Sequence, residues 1–330
     1  MIVDDQMLLT IGNWRKDGKF APFPQMSIER VVKDGNVYVF IVVEPSSDTP
    51  VRYEGRSYIR VGPQCNQATA EEERRLVEKR KARDLPFDAK GLGGAEISDL
   101  DEAAFKLVFL PSSVPQDVIA QNGRSYLEQL RALRLVDAKG IPTPVGILAI
   151  AKSPQDLIPG AYIQALRIDG DLLTDSIIDQ HSITGTLTDQ INRAEELVSL
   201  WITTASKVGG PRRQDKANYP IEALRQLIRN AVMHRNYDGA NAPVRLTWYN
   251  DRIELQNPGG LFGQVTKATM GKVTDYRNPT LAAAMKSLGY VERFGLGIQI
   301  VNKQLAENGN PPAEFEITPS HINVTVRRAL

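Results

Sequence analysis

Two carboxamides stand one helical turn apart, at Gln226 and Asn230, in the stretch R-Q-L-I-R-N-A-V-M-H-R-N-Y, residues 225–237. On a helix advancing about 100° per residue, Ile221, Leu224, Leu227, Ile228, Ala231 and Val232 form one apolar stripe, which must face a core. Gln226, Asn230, Met233 and Tyr237 fall on the opposite side. A solvated helix face is normally rich in Lys and Glu. An uncharged, amide-bearing face therefore either looks into a half-enclosed pocket or is an ordinary surface that happens to carry amides.

Two later segments favour the pocket. D-R-I-E-L-Q-N-P-G-G-L-F-G, residues 251–263, alternates like a strand and ends in Asn-Pro-Gly-Gly, where the backbone can turn sharply and approach a ligand without Cβ atoms in the way. R-F-G-L-G-I-Q-I-V-N-K-Q-L, residues 293–305, places Gly-x-Gly directly before an amphipathic helix, whose free N–H groups and positive dipole end can receive phosphate. Either glycine cluster alone is weak evidence, and the ordered set is stronger.

Other chemistries find little support. The single cysteine, Cys65, excludes an intramolecular disulfide and a multi-thiolate metal site, and it suits a reducing cytoplasm. His181, His234 and His321 lack the i, i+4 spacing of a helical metal pair, and a structural role or plain exposure is expected of His181 and His321. A chain of 330 residues with 42% hydrophobic and 24% charged content is globular in composition, and its length suggests two or three modules. The net charge of +1 gives no global pull toward nucleic acid or an anionic membrane. No apolar run approaches the roughly 20 residues of a membrane helix, and M-I-V-D-D-Q-M lacks the order of a secretion signal.

These segments need elements to hold them. Residues 28–43 read as two strands joined at Asp34-Gly35, a favoured hairpin pair. Residues 51–62 alternate around a second turn at Glu54-Gly55, and Thr69 precedes a helix with acids first and bases later, closing a first module near Arg83. Residues 85–95 are turn-rich and read as a linker. Two helical stretches follow, then I-P-T-P-V-G-I-L-A-I-A, strand-like or simply buried; this connector is either winged-helix-like or a helical packing segment. Strands are expected from Ala161 and around Ile183, and a long helix over 187–202.

Residues 219–327 resemble the Bergerat-fold (GHKL) ATP-binding module, in the variant of prokaryotic regulators called RecG-like ATP-binding proteins. The resemblance rests on E-A-L-R-Q-L-I-R-N-A-V-M-H-R-N-Y, I-E-L-Q-N-P-G-G-L, N-P-T-L-A-A-A-M-K-S-L-G-Y-V-E-R-F-G-L-G-I and I-N-V-T-V. It implies that Asn230 holds Mg²⁺ against ATP phosphates, as suits a neutral oxygen donor, and that Asn257 in Asn257-Pro-Gly259-Gly260 reads adenine through its side-chain oxygen. Gly295, Leu296 and Gly297 would cradle phosphate. Residues 261–292 would be a lid, with Lys267, Lys272 and Arg277 as phosphate contacts, and His234 would be structural.

One position departs from the pattern. The general base expected one turn before the Asn is a Glu, and here it is Gln226. A carboxamide cannot take a proton from water at neutral pH, a loss of roughly two to four orders of magnitude in rate. Glu222, two turns before Asn230, is too distant to replace it.

Residues 28–69 resemble the second half of the Schlafen/AlbA-type DNA-binding domain, most clearly at S-Y-I-R-V-G. The earlier helix with acidic and lysine residues is not in this chain, which removes what a nuclease would need. DNA contact would rest on Arg52, Arg56, Arg60 and the basic helix 74–83, against which the acids at 71–73 and Glu78 point to a solvated helix instead.

The expectation is an α+β protein. It has a partial Schlafen/AlbA-like module with a small mixed sheet and helix (1–84), a linker and helical connector (85–160), and a Bergerat-type sandwich with helices on one face of a mixed sheet (161–330). Its expected role is a cytoplasmic, homodimeric, ATP- and Mg²⁺-binding regulator of transcription or defence, with weak or absent hydrolysis and DNA as a second partner. The alternatives are an ATPase with an unrecognised base and an interaction scaffold with an empty pocket.

Overall fold

The computed structural model describes residues 5–14, 16–44, 46, 50–73, 85–207, 214–291 and 296–329. The chain divides into two compact units, Met1–Leu85 and Pro86–Leu330. The basic helix expected at 74–83 lies outside the described residues.

The first unit opens with helix α1 (Asp5–Asn13) and continues through strands β1 (Phe20–Ala21), β2 (Met26–Lys33), β3 (Asn36–Val43), β4 (Arg52–Tyr53), β5 (Tyr58–Val61) and β6 (Gln64–Gln67). Where one small mixed sheet is expected, the strands form three antiparallel ribbons: β1 with β4, β2 with β3, and β5 with β6. Both turns read from sequence form. Asp34 and Gly35 take φ of 52° and 75°, and Glu54 and Gly55 take 48° and 78°, the left-handed pair that matches strand twist in a two-residue hairpin.

The second unit is a six-stranded mixed sheet with helices packed on it. Its elements used below are α2 (Tyr126–Ala132), α3 (Pro144–Ile150), β7 (Ile163–Asp169), β8 (Ser176–Ile183), α4 (Leu187–Trp201), β9 (Thr204–Lys207), β10 (Gln214–Ala217), α5 (Ile221–His234), β11 (Val244–Trp248), β12 (Arg252–Pro258), α6 (Pro279–Ser287), α7 (Gly297–Asn308), β13 (Glu314–Ile317) and β14 (His321–Arg327). The strand order is β13-β14-β12-β11-β7-β8. Only β11 and β7 run parallel, as an intervening helical crossover permits. Alternation along the strands sets the two faces. Ile163, Ala165, Leu246, Trp248, Ile253, Leu255, Val324 and Val326 are buried beneath the helices, whereas Gln164, Arg245, Glu254, Gln256 and Thr325 are only part-buried. The α+β class is as expected.

Of the apolar stretch 141–151, expected to be strand-like or simply buried, Pro144–Ile150 form helix α3, every residue of which is buried. Thr143 caps it by accepting from the Gly146 N–H at 3.1 Å, and Pro144 takes the first turn, where no N–H is needed. Helix α2 starts on a capping box, Ser125 with Glu128. The residues between them form one isolated bridge, Val136 to Pro142. Leu130, Leu135, Val145, Ile147 and Ile150 share a single core with the sheet.

Residues 86–90, within the turn-rich stretch, anchor the fold. Asp88 is buried and its Oδ2 accepts from the Thr280 and Leu281 N–H groups at 2.7 and 2.8 Å, capping α6 from 192 positions away. Burial pushes the Asp88 carboxyl up, against the pull of those two N–H bonds. At the other junction, the buried Asn278 donates to the carbonyls of Met233 and Arg235 at 2.9 and 2.8 Å, satisfying the end of α5. Asp88→Ala removes the cap of α6 and is expected to lower the stability of the second unit by about 1–2 kcal/mol, read as a lower melting temperature. A Leu85→Ala change beside it, at an exposed residue, should leave melting unchanged.

Candidate functional site

A cavity of about 200 Å³ opens between α5, the end of β12, the segment 260–277 and the start of α7. Its walls include Gln226, Asn230, Asn257, Gly260, Arg277, Leu296 and Gly297, seven of the residues singled out by sequence. The amide face of α5 thus looks into a pocket, with Met233 and His234 extending it. Tyr237 does not join them. It is buried, its hydroxyl donates to the Val232 carbonyl at 2.8 Å, and the Arg235 guanidinium lies 4.7 Å above its ring.

At one end of the cavity, Gly297 begins α7 directly against Asn230. A Cβ on Gly297 would stand 2.9 Å from Asn230 Nδ2, so glycine permits the helix start to touch the amide. Leu296 precedes the helix and offers no side-chain cap. The first N–H groups of α7 therefore have no partner from a capping side chain, and the positive end of the helix dipole sits beside Asn230. Gly295 lies outside the described residues.

At the other end, Asn257 lines the cavity and is buried, and its Oδ1 has no hydrogen-bond partner among the described residues. Leaving such an acceptor without a donor costs about 1–3 kcal/mol. The turn after it is held by close backbone approach. A Cβ on Gly260 would fall 2.5 Å from the Thr318 carbonyl oxygen, and one on Gly259, at φ 103°, would meet Asn236 at 2.8 Å. The Asn236 N–H bonds the Pro258 carbonyl at 2.8 Å, tying the end of α5 to the end of β12. That bond fixes Asn230 and Asn257 relative to each other.

The wall between the ends is the segment 261–277. Arg277 donates to the Gly260 carbonyl at 3.0 Å and lies 4.9 Å over the Phe262 ring. Burial lowers its pKa, and its Nε is buried without an acceptor. This guanidinium contacts the N-P-G-G turn rather than the start of α7. Lys267 and Lys272 are exposed on the outside of the segment and do not line the cavity. Asp275 closes the segment on itself by accepting from the Gln264 and Tyr276 N–H groups, while Gln299 Nε2 donates to the Gly271 carbonyl at 3.1 Å, latching it to α7.

Among the described lining residues Asp275 is the only carboxylate. Glu222 is exposed, pairs with Arg225 and does not reach the cavity. In the first unit, Arg52 is paired with Glu73 at 3.3 Å, Arg60 Nε donates to the Gly62 carbonyl, and Arg56 is exposed in the second turn.

His234 is the residue that sequence reasoning misses. It lines the cavity with its ring stacked on Tyr276, 6.0 Å between centroids at 4°. Burial, and then the Arg277 charge, bring its pKa down to about 4, so the imidazole is neutral at pH 7. Its place one turn after Asn230 is the available signal. The unfolded chain binds a proton between the ordinary pKa of 6.5 and about 4 where the folded chain does not, so stability falls as pH drops through that window. The expected loss is up to about 3 kcal/mol, and His234→Gln should flatten this part of the stability profile measured by denaturant titration.

Residues 241–326 match the family model described as "Putative ATP-dependent DNA helicase recG C-terminal". No curated protein matches the sequence. Among solved structures, the DIP2311 protein from Corynebacterium diphtheriae is similar to this chain with a TM-score of 0.59 at 19% identity. The likeness covers 94% of this chain and 60% of that one, so the chain spans less than two thirds of that protein's length. No helix among the described residues is long and apolar enough to cross a membrane. The C-terminal part of the chain, residues 241–326, is thus similar to the HATPase-type family of that model.

Proposed function

We propose that the cavity binds ATP with Mg²⁺ and that the protein is a nucleotide-controlled regulator with weak or absent hydrolysis. The observation that carries this reading is Asn257, buried in the cavity wall with no hydrogen-bond partner for its Oδ1 among the described residues, in the same cavity as the Asn230–Gly297 contact. An exocyclic amine supplies the donor that Oδ1 lacks. The start of α7 supplies N–H groups for an anion, and the Asn230 carboxamide supplies a neutral oxygen to a hard cation. The apolar wall of Met233, Met270, Ile298 and Phe315 suits a flat base.

Magnesium, when bound, neutralises phosphate charge; everything else falls to the protein's side chains. Asn257 orients the base, Arg277 and Phe262 close the wall beside it, and the latch from Gln299 to Gly271 holds 261–277 across the opening. Gln226 lines the cavity where a base would act, but a carboxamide cannot accept the proton of an attacking water. Binding and lid closure are then the signal, a population shift driven by differential affinity. Its output passes to a dimer or to a DNA-facing surface, for which Arg56 is the exposed arginine least engaged among the described residues of the first unit.

Mg²⁺-ATP at a hundredfold its Kd should raise the stability of the second unit by about 2.7 kcal/mol, and GTP should not. Asn257→Leu should abolish that difference between nucleotides, and equal stabilisation by both in the wild-type chain would refute the reading of Asn257. Gln226→Glu should raise phosphate release by about two to four orders of magnitude. High turnover in the wild-type chain, unchanged in Gln226→Ala, would show that another base acts.

A further inference from the structure

The β2–β3 ribbon of the first unit has eight residues in each strand, joined by the two-residue turn at Asp34-Gly35. It pairs with no other strand among the described residues. It is apolar and exposed on both faces: Tyr38 is 46% exposed, Phe40 54% and Val42 53% on one, and Val32 65% and Val43 54% on the other. A long, apolar edge that no described strand covers is a template for another strand, and proteins that keep one uncovered normally blunt it with charge or proline.

The two edges of this ribbon differ in what they could specify. Strand β3, N-V-Y-V-F-I-V-V, carries no charge and gives a partner no register. Strand β2, M-S-I-E-R-V-V-K, carries Glu29 and Lys33 on the same face as Val31, with Val31 midway between them. Neither Glu29 nor Lys33 has an ion-pair partner among the described residues. The pattern is self-complementary. If two β2 strands run antiparallel about a two-fold axis at Val31, Glu29 of each stands opposite Lys33 of the other. Slipping the register by two residues removes both pairs, and slipping it by four sets like charges opposite each other.

The backbone agrees with that register. In a two-residue hairpin the flanking pair, here Lys33 and Asn36, exchanges hydrogen bonds, and pairs alternate from there. Val31 therefore directs its N–H and C=O toward Tyr38 on β3, and Arg30 and Val32 direct theirs outward. Across the new edge Val31 meets its copy as a non-hydrogen-bonded pair, whose Cα atoms lie about 4.5 Å apart, while Arg30 and Val32 bond to Val32 and Arg30 of the copy.

We infer that β2 is a homodimerisation edge: two copies of this chain join antiparallel at Val31, with paired Glu29–Lys33 contacts setting the register of a four-stranded sheet β3-β2-β2-β3. This gives the regulatory reading its second copy, yet its test needs no nucleotide, so either can fail alone.

Sedimentation equilibrium of the full chain should show a monomer–dimer equilibrium that weakens with added salt. Glu29→Lys or Lys33→Glu alone should weaken association about tenfold, and the double swap Glu29→Lys/Lys33→Glu should restore it. In a Cys65→Ser background, Val31→Cys should cross-link to its copy on mild oxidation. Tyr38→Cys should not, because the two β3 strands would stand about 14 Å apart. A chain that stays monomeric, a dimer indifferent to the single charge reversals, or cross-linking at Tyr38→Cys in preference to Val31→Cys would each overturn the proposal. The last outcome would move the interface to β3.

Discussion

The site depends on one close contact, the start of α7 against the Asn230 amide. Two helices can approach this closely only where one of them lacks a side chain, and a Cβ at 297 would come within 2.9 Å of Asn230 Nδ2. The consequence is electrostatic as well as steric. A helix start without a side-chain cap brings partial positive charge and N–H donors, and the amide beside it brings an oxygen that carries no charge to repel phosphate. Any larger residue at 297 would push α7 away from α5 and separate the two groups.

The rest of the second unit keeps that contact in register with Asn257. The Asn236–Pro258 backbone bond sets the far end of the cavity, Asn278 fills the carbonyls at the end of α5, and Asp88 holds the helix that follows the wall segment. Asn236, Asn278 and Asp88 do not line the cavity. They are buried or part-buried polar groups that fix backbone positions, which is how a shallow sheet-and-helix layer holds side chains to within the tolerance a ligand needs. The wall segment itself is tied by three side chains, Asp275 to its own start, Arg277 to Gly260 and Gln299 to Gly271.

Much of this arrangement is legible in the local pattern of the chain. The apolar stripe on α5, the alternation of β12 and the glycines before α7 each follow from periodicity and backbone freedom, and all three segments do meet at one cavity. What the pattern does not reveal is long-range or ambiguous. Asp88 sits in a stretch that reads as a linker, and nothing local announces that it caps a helix 192 positions away. The apolar run 141–151 has no polar period with which to tell a buried strand from a buried helix. The cap at Thr143 and the proline at 144 are the cues that separate them. Lys267 and Lys272, which the resemblance offers as phosphate contacts, are exposed and outside the cavity's lining, on a segment that turns between Thr266 and Thr269. His234 reads as structural from its place on the edge of the helix, while its position in the cavity wall shows only in the fold.

A crystal grown with Mg²⁺ and a slowly hydrolysed ATP analogue tests the central claim most directly. The account predicts the base enclosed between α5 and the 261–277 wall with its exocyclic amine on Asn257 Oδ1, phosphates at the start of α7, and the metal on Asn230. An empty cavity at saturating analogue, or a nucleotide bound with its phosphates at the Asn257 end, would contradict it.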